Sequence, residues 1–318
     1  MAKTSLEIPP FILFEVNEFC DLNCKFCSVK NKKSEKSPNL EKSKKILEKL
    51  SENKVFLIIF TGGEPTASKN FNDLLSFVDK LGMSIRILTN LYQISDETIR
   101  KIKEVQGNIT GSIHSSKPSL HDFLTGVEGS WSCAMENLKT MSEKNVNINK
   151  INFTATKFNF KELKPLADKI SNLSGIKKVL INNYVSFDKE KDKKFSLKNS
   201  QLNELAKDME EINKKLDLQC VFGEPVPPCK LKKKYKHLNS TSIPKKEFGY
   251  IDTKGILKTY EDPFVKKVNI LEEKTINQRQ IDDLKNEDWF PEQCVDCDIS
   301  KNCDGMTTSR LISLFSAS

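Results

Sequence analysis

Six short apolar runs recur along the chain up to residue 187, each bounded by polar or turn-forming residues. Runs of this length, rich in β-branched and aromatic residues, indicate buried strands. They lie at residues 11–16, 55–60, 84–89, 108–114, 147–156 and 176–187. Segments with helical periodicity accompany them at residues 39–52, 71–82, 95–105, 130–144, 161–172 and 198–216. Strands that alternate with helices predict an α/β fold with a parallel sheet and right-handed crossovers.

The pattern changes after residue 217. The stretch EPVPPC is rich in proline, and EFGYIDTKGILKTY (247–260) has the alternation and central glycine of a β-hairpin. Three clustered cysteines follow near the end of the chain. We therefore predict two domains, an α/β domain over residues 1–216 and a smaller one over residues 217–318.

Nine cysteines occur in the chain. The longest apolar run, residues 55–60, is far too short to cross a bilayer. The opening residues MAKTSLEIPP lack the apolar stretch of a secretory signal. We therefore expect a cytoplasmic protein without a membrane partner, in which cysteines serve metal binding or redox chemistry rather than disulfides.

The net charge is +8, and lysine supplies most of the positive charge. Lysine clusters occur at residues 30–36, 189–194, 230–236 and 245–246. They are scattered and poor in arginine and in interleaved aromatic residues. This pattern favours solvated loops over a nucleic-acid interface.

Three cysteines, Cys20, Cys24 and Cys27, follow the first predicted strand with the spacing C-x3-C-x2-C. They occupy the carboxyl end of that strand, where parallel α/β folds place their chemistry. Three thiolates so close together suit an iron–sulfur cluster or zinc. A zinc ribbon would supply a second C-x2-C nearby, and none follows for almost two hundred residues. On a four-iron cluster, three protein ligands would leave one iron open.

With Phe26 just before its last cysteine, this motif resembles the signature of radical S-adenosylmethionine (SAM) enzymes. The second strand ends in Thr61-Gly62-Gly63-Glu64-Pro65, which resembles the GGE motif of that family. The resemblance implies a partial (β/α)6 TIM-like barrel around a [4Fe–4S] cluster held by the three cysteines. SAM would bind the open iron and be cleaved by one electron to methionine and a 5′-deoxyadenosyl radical, which abstracts a substrate hydrogen atom.

The same resemblance implies cofactor contacts at the strand ends. They are Phe26, Gly62, Gly63, Glu64, Pro65, Thr89, Asn90, Ser112 and His114. The backbone near Phe26 would meet the adenine, the two glycines would let the methionine moiety approach closely, and Glu64 would bind its ammonium group.

At the ends of the third and fourth strands, three positions need a comment on their implied roles in the cofactor site. Thr89-Asn90 stands where the family often has T-N-G, with Leu91 in place of the glycine. Ser112 is implied as a ribose contact. His114 either faces the same cavity or is structural. The following run HDFLTGVEGS resembles a segment of one subgroup, with Thr125 at a position where that subgroup has arginine.

The second cysteine cluster, Cys294-x2-Cys297-x5-Cys303, resembles the core of SPASM/twitch extensions, which hold auxiliary iron–sulfur clusters. The cysteine count allows one auxiliary [4Fe–4S] cluster, with Cys229 as its fourth ligand. The alternative is a structural zinc site made by the same four thiols. Cys220 is interpreted as a buried structural thiol, with a hydrogen-atom donor or a replacement for Cys229 as alternatives.

Enzymes with such extensions mostly modify ribosomally made peptides, by crosslinking, thioether formation or epimerisation, and this is the function that the resemblance implies. Oxidation or rearrangement of a small metabolite, such as a sugar or aminocyclitol, is the alternative. A non-catalytic iron–sulfur or zinc protein that binds RNA is a distant third. The implied partners are the substrate and an electron donor such as flavodoxin or ferredoxin. Because about ten residues precede the first strand, a leader peptide would need a separate leader-peptide-binding protein or another surface of this chain.

Overall fold

The computed structural model describes residues 8–27, 39–184, 194–223, 226–227, 229–239, 247–261, 264–272 and 274–280. In these ranges eleven strands form one sheet. The strands are β1 Phe11–Glu15, β2 Leu57–Thr61, β3 Ser84–Thr89, β4 Asn108–Ser112, β5 Ile148–Ala155, β6 Lys178–Asn183, β7 Gln219–Phe222, β8 Phe248–Ile251, β9 Ile256–Glu261, β10 Phe264–Asn269 and β11 Lys274–Gln280. The helices are α1 Leu40–Glu52, α2 Phe71–Lys80, α3 Asp96–Glu104, α4 Pro118–Thr125, α5 Ser130–Glu143, α6 Leu163–Ile170 and α7 Asn199–Lys215.

Strands β1 to β7 are parallel and lie side by side in chain order. A doubly wound sheet reverses its order at a switch point. The order here never reverses, so the winding is that of a (β/α) barrel. On the other side of β1 lies β8, also parallel to it. All seven carboxyl ends therefore open on one edge.

The two faces of the parallel sheet differ in polarity. Ile12, Phe14 and their register partners on the neighbouring strands are buried and apolar. The ring of Phe60, beside Phe14, stacks edge-on against Phe71 of α2 at 5.5 Å, so this is the face that the helices cover. The alternate residues point the opposite way and include Arg86, Lys150 and other polar side chains. A barrel turns this polar face inward.

Strands β8 to β11 form an antiparallel meander that continues the sheet beyond β1. The pairing of β8 with β9 around Thr253–Gly255 confirms the predicted hairpin. A buried ion pair joins it, with Lys258 Nζ 3.4 Å from Asp252 Oδ2. Because β7 and β8 both extend the sheet of the first domain, the two predicted domains share one sheet, and their independence stays a prediction.

The predicted elements agree with the structure to within a few residues, with four additions. Helix α4 and strand β7 were not predicted, and neither were β10 and β11. In the part of the chain that the structure describes, no helix is long and apolar enough to span a membrane.

Candidate active site

The cysteine loop and the GGE turn are joined by main-chain hydrogen bonds. Gly63 N donates to Asn17 O at 2.9 Å, and Glu64 N donates to Phe19 O at 2.7 Å. In return the Asn17 amide Nδ2 donates to Glu64 O at 2.9 Å. The bonded residues are more than forty positions apart in sequence, and through them the two motifs form one unit at the carboxyl ends of β1 and β2.

Both glycines of the GGE turn are required by this contact. Gly62 has φ +139°, and a Cβ there would lie 2.4 Å from Asn17 O. A Cβ on Gly63 would lie 2.0 Å from Phe19 O. The close approach that the glycines permit is therefore to the cysteine loop. Their predicted contact with the methionine moiety of SAM stays a prediction.

The Glu64 carboxylate is buried beneath the turn and joins β2 to β3. Oε1 accepts hydrogen bonds from Thr66 N, Thr66 Oγ1 and Thr89 Oγ1, at 3.0, 2.6 and 2.8 Å. Oε2 accepts one from Asn90 N at 2.8 Å. Burial raises the pKa of Glu64 to about 7, although these donors lower it. Glu64 thus positions the end of β3, and its predicted contact with the SAM ammonium would have to use the free lone pair of Oε2.

Asn90 carries this network back to the cysteine loop. Its side-chain amide donates to Asp21 Oδ1 at 2.7 Å and lies 3.8 Å from Cys20 Sγ. Asn90 Oδ1 accepts from Tyr92 N at 2.7 Å, which fixes the amide. The ends of β1, β2 and β3 are therefore connected through side chains around the first cysteine.

Leu91 has a backbone conformation that favours glycine. Its φ is +63°, in the left-handed region that costs a non-glycine residue about 1–2 kcal/mol. The leucine side chain is fully buried. It fills the space above Gly111 on β4, where a Cβ would lie 2.5 Å from Leu91 Cδ1. Burial of the leucine offsets the backbone strain.

The cysteine loop rests on the end of helix α4. Asn23 N donates to Thr125 O and Lys25 N to Leu124 O, both at 2.8 Å. Gly126 ends the helix with φ +73°, and a Cβ there would lie 2.5 Å from Asn23 O. Thr125 thus contributes its carbonyl here, and the absence of an arginine at this position leaves the contact intact.

Asp122 holds the segment after α4 in place. Its carboxylate accepts hydrogen bonds from Gly129 N, Ser130 Oγ and Trp131 N at 2.8–2.9 Å. Burial raises the pKa of this carboxyl, but the three donors outweigh it, and the pKa lies below its usual value. The carboxylate thereby satisfies the amino end of α5.

Phe26 and His114 pack against each other. Their ring centroids lie 4.8 Å apart in an edge-to-face arrangement, and His121 stacks on His114 at 5.7 Å. His114 Nδ1 accepts from Thr154 N at 3.2 Å. Burial, with a further contribution from His121, holds the pKa of His114 well below its usual value, so the imidazole is neutral. This geometry supports the structural interpretation of His114.

The remaining predicted contacts lie around the same edge. Pro65 begins a short 3-10 turn, Pro65–Ala67, directly after Glu64, and is buried. Ser112 ends β4 on the polar face, where it pairs with Asn152 of β5. The structure therefore brings every predicted contact of the cofactor site to the carboxyl ends of β1 to β4.

The three thiols of the cysteine loop are the candidate ligands of an iron–sulfur cluster. Cys20, Cys24 and Cys27 form no disulfide, and no group of three His, Cys, Asp or Glu side chains within the described ranges is arranged to hold one metal ion. In a four-iron cluster each of the three thiolates would bind a different iron. Burial raises the pKa of Cys20 to about 12, and the nearby Glu64 and Asp21 carboxylates raise it too. A bound cationic cluster would hold it as thiolate.

Cys220 lies away from this site. It is the second residue of β7 and pairs with Val179 at the start of β6, towards the amino ends of the strands. It belongs to the buried face that the helices cover, and burial raises its thiol pKa to about 12. This placement argues against a hydrogen-atom donor and agrees with a structural thiol.

Of the four predicted auxiliary ligands, Cys229 is exposed. Cys294, Cys297 and Cys303 lie outside the described residues.

Several functional residues escaped the sequence analysis. Asn17, Asp21 and Asp122 are polar residues that connect the site. The signal available for Asn17 was its position, a polar residue between an apolar strand and the first cysteine. The partners of Asp21 and Asp122 depend on tertiary packing and give no local pattern.

Comparison with known proteins supports this arrangement. The sequence profile of the Radical SAM superfamily matches residues 14–170. The Fe-coproporphyrin III synthase of Methanosarcina barkeri is 26% identical over 170 residues, which are 53% of this chain and 42% of the relative. The subtilosin biosynthesis protein AlbA of Bacillus subtilis is 27% identical over 174 residues, 52% of this chain and 38% of the relative. The chain thus spans less than half the length of each.

Solved structures support the fold. The SAM-bound structure of Streptococcus suis SuiB superimposes with a TM-score of 0.66 at 17% identity, over 92% of this chain and 71% of that one. SuiB bound to precursor peptide SuiA gives 0.63 at 20% identity, over 79% and 59%. At these identities the similarity shows the fold alone, and it confirms the partial barrel. With its cysteine loop and GGE turn joined as one unit, the part of the chain over residues 14–170 is a radical SAM domain.

Proposed function

We propose that this protein cleaves SAM reductively at the cysteine loop and abstracts a hydrogen atom from a ribosomally made peptide. The observation that carries the proposal is the direct pairing of the cysteine loop with the GGE turn at the carboxyl edge of the sheet. When bound, the cluster and SAM supply one-electron cleavage of the sulfonium bond and a carbon radical, with the electron coming from a flavodoxin or ferredoxin.

The chain's own residues would position and protect that chemistry. Cys20, Cys24 and Cys27 would hold three irons of a [4Fe–4S] cluster. Glu64 and Asn90 keep the ends of β2 and β3 fixed around them through hydrogen bonds that need no rearrangement on binding. Phe26 and the aromatic rings packed beside it shield one side of the loop from water.

A peptide substrate is supported by the relatives. The AlbA relative is a bacteriocin biosynthesis protein, and SuiB was solved with a precursor peptide. The products by this route are a crosslink, a thioether or an epimer. A leader peptide would be bound by a separate protein or by another surface of this chain.

The experiment is anaerobic reconstitution followed by SAM and a chemical reductant. We expect 5′-deoxyadenosine from the wild type and none from Cys24→Ser. Cys133→Ser, an α5 thiol with no place in the site, is the matched control and should retain the product. A sample with full iron content that yields no 5′-deoxyadenosine would refute the proposal.

A second candidate, chemistry on a small metabolite, is favoured by the Fe-coproporphyrin III synthase relative. The neighbouring coding sequence discriminates the two. A short open reading frame whose peptide, deuterated at the reacting position, passes deuterium to 5′-deoxyadenosine would establish the peptide. Neighbouring genes of sugar or porphyrin metabolism, with transfer from their intermediate, would establish the metabolite.

We also propose one auxiliary [4Fe–4S] cluster on Cys229, Cys294, Cys297 and Cys303. Iron and sulfide should then reach about eight of each per chain, two clusters of four. Cys297→Ser should lower them to about four while 5′-deoxyadenosine is still formed. About four irons and four sulfides in the wild type would refute the auxiliary cluster. About one zinc per chain would support the structural zinc site instead.

A further inference from the structure

Three basic side chains lie on the polar face of the barrel sheet, near the amino ends of their strands. They are Arg86 on β3, Lys150 on β5 and Lys178 on β6. Lys150 and Lys178 are register partners, and Arg86 pairs with Asn108 of the intervening β4. On β4 the register partner of Lys150 is Thr110, two residues beyond Asn108, so the lysine pair lies one step further along the strands than Arg86 and Asn108. Because paired residues, and residues two apart on one strand, share a face, Arg86, Asn108, Lys150 and Lys178, here called the row, all lie on the inner face of the barrel.

The charges of Arg86 and Lys178 both act on Lys150. Burial lowers the pKa of Lys150, and the charges of Arg86 and Lys178 lower it further. Among the residues that the structure describes, none of the three is within ion-pair distance of a carboxylate. Gathered like charges repel one another, and an anion between them would remove that repulsion.

Two buried polar atoms of the row also lack a partner. Within the described part of the chain, Arg86 Nε and Asn108 Oδ1 are buried without a hydrogen bond. An unsatisfied buried polar group costs about 1–3 kcal/mol, which a bound ligand would recover. The Asn108 amide can present either its oxygen or its NH2 group to such a ligand.

There is room at the Arg86 end of the row. A cavity of about 570 Å³ opens at the amino ends of β2, β3 and β4, and Arg86 and Asn108 line it. Two acidic residues also line this cavity, Asp79 and Glu104. Glu104 is already bonded to Lys101 at 2.6 Å, so it is not a counter-ion of the row.

We propose that this row binds a carboxylate of the substrate. The inference rests on the proposed function and adds to it the charge that the substrate must carry. Arg86 precedes Thr89, at the cofactor edge, by three residues, or roughly 10 Å of strand. An extended peptide covers that distance with about three residues. In a peptide substrate, the reacting carbon would therefore lie about three residues from an acidic residue or from the carboxyl terminus. In a small acid of that length, it would lie at the end opposite the carboxylate.

The test measures binding of three probes to reconstituted full-length protein at low salt by isothermal titration calorimetry. The probes are the acetylated, amidated tripeptides Ala-Glu-Ala and Ala-Gln-Ala, and glutarate. We expect the glutamate tripeptide to bind about tenfold more tightly than its glutamine counterpart. Binding of glutarate but not of the glutamate tripeptide would assign the row to a small acid instead of a peptide.

Matched variants locate the effect. Lys150→Gln and Lys178→Gln should each abolish the preference for glutamate, and Lys150→Arg should retain it. Lys139→Gln, at an exposed α5 lysine, is the control and should bind as the wild type does. Since each removal relieves repulsion, the Lys150→Gln protein should melt at the same temperature as the wild type or higher, which separates lost binding from unfolding.

Equal binding of the two tripeptides together with no glutarate binding, or an equal loss in Lys139→Gln, would overturn the inference. The 5′-deoxyadenosine assay is run on the same samples. Intact SAM cleavage with no anion preference would refute the carboxylate site alone. Failure of cleavage would refute the proposed function, whatever the row binds.

Discussion

At the scale of single residues, the Leu91–Gly111 pair shows how the site tolerates a departure from the family pattern. We expect Gly111→Ala to destabilise the protein by about 1–3 kcal/mol, because the new methyl overlaps the buried leucine. In a Leu91→Ala background, where the space is vacant, the same change should cost close to nothing. Urea unfolding of the wild type, the two single variants and the double variant gives the coupling free energy between the two positions. An equal cost of Gly111→Ala in both backgrounds would contradict the contact.

Glu64 gives a pH-dependent prediction. Its folded pKa is about 7, raised from 4.5, so between these values the folded apoprotein holds a proton that the unfolded chain has lost. Stability from this group is therefore full below about pH 4.5, falls as pH rises to about 7 and is level above it. Glu64→Gln should flatten that part of the curve.

Urea unfolding of the apoprotein between about pH 5 and pH 8 measures this slope. Glu41→Gln, at an exposed carboxylate on α1, should leave it as in the wild type. The same slope in the wild type and Glu64→Gln would mean that Glu64 does not titrate in this range.

At the scale of elements, the sequence was sufficient for strands whose apolar runs fill the helix-covered face, such as β2 and β3. It was insufficient for β7, where four residues give too short a pattern, and for α4, whose eight residues begin with a proline and carry mixed polarity. The cysteine motif and GGE turn could be placed at strand ends from sequence. The role of Glu64 could not, because its partners Thr89 and Asn90 come from the next strand.

The joined cysteine loop and GGE turn make an element-scale prediction. Gly63→Ala places a methyl 2.0 Å from the position of Phe19 O, so the two segments must separate. We expect the iron bound by the first loop, about four per chain, to be lost after reconstitution. Gly82→Ala is the control, since Gly82 has φ +73° but nothing within 4 Å of its Cβ position.

The control should lose only about 1 kcal/mol of stability from the backbone and keep its iron. Iron retention by Gly63→Ala, measured with the far-UV spectrum unchanged, would show that the close contact is dispensable for the cluster.

At the scale of the whole molecule, the two ends of the barrel carry opposite chemistry. The carboxyl edge gathers thiols and buried carboxylates, and the amino ends of the strands gather three cations. The row at the amino ends would bind the anionic group of a substrate and so orient its reacting end towards the cofactor. Proximity and orientation of this kind reduce the entropic part of a reaction barrier.

The continuous sheet makes the last prediction. Lys258 on β9 is 2% exposed and forms an ion pair with Asp252, which directly follows β8. Strand β8 in turn pairs with β1. Lys258→Met leaves Asp252 buried without its cation, which costs about 3–5 kcal/mol. If the chain unfolds as one unit, this cost must also appear at Trp131 on α5, far along the sheet. In a Trp289→Phe background, Trp131 is the only tryptophan, and its fluorescence should report a lower urea midpoint for Lys258→Met. An unchanged midpoint would instead establish residues 217–318 as an independent domain.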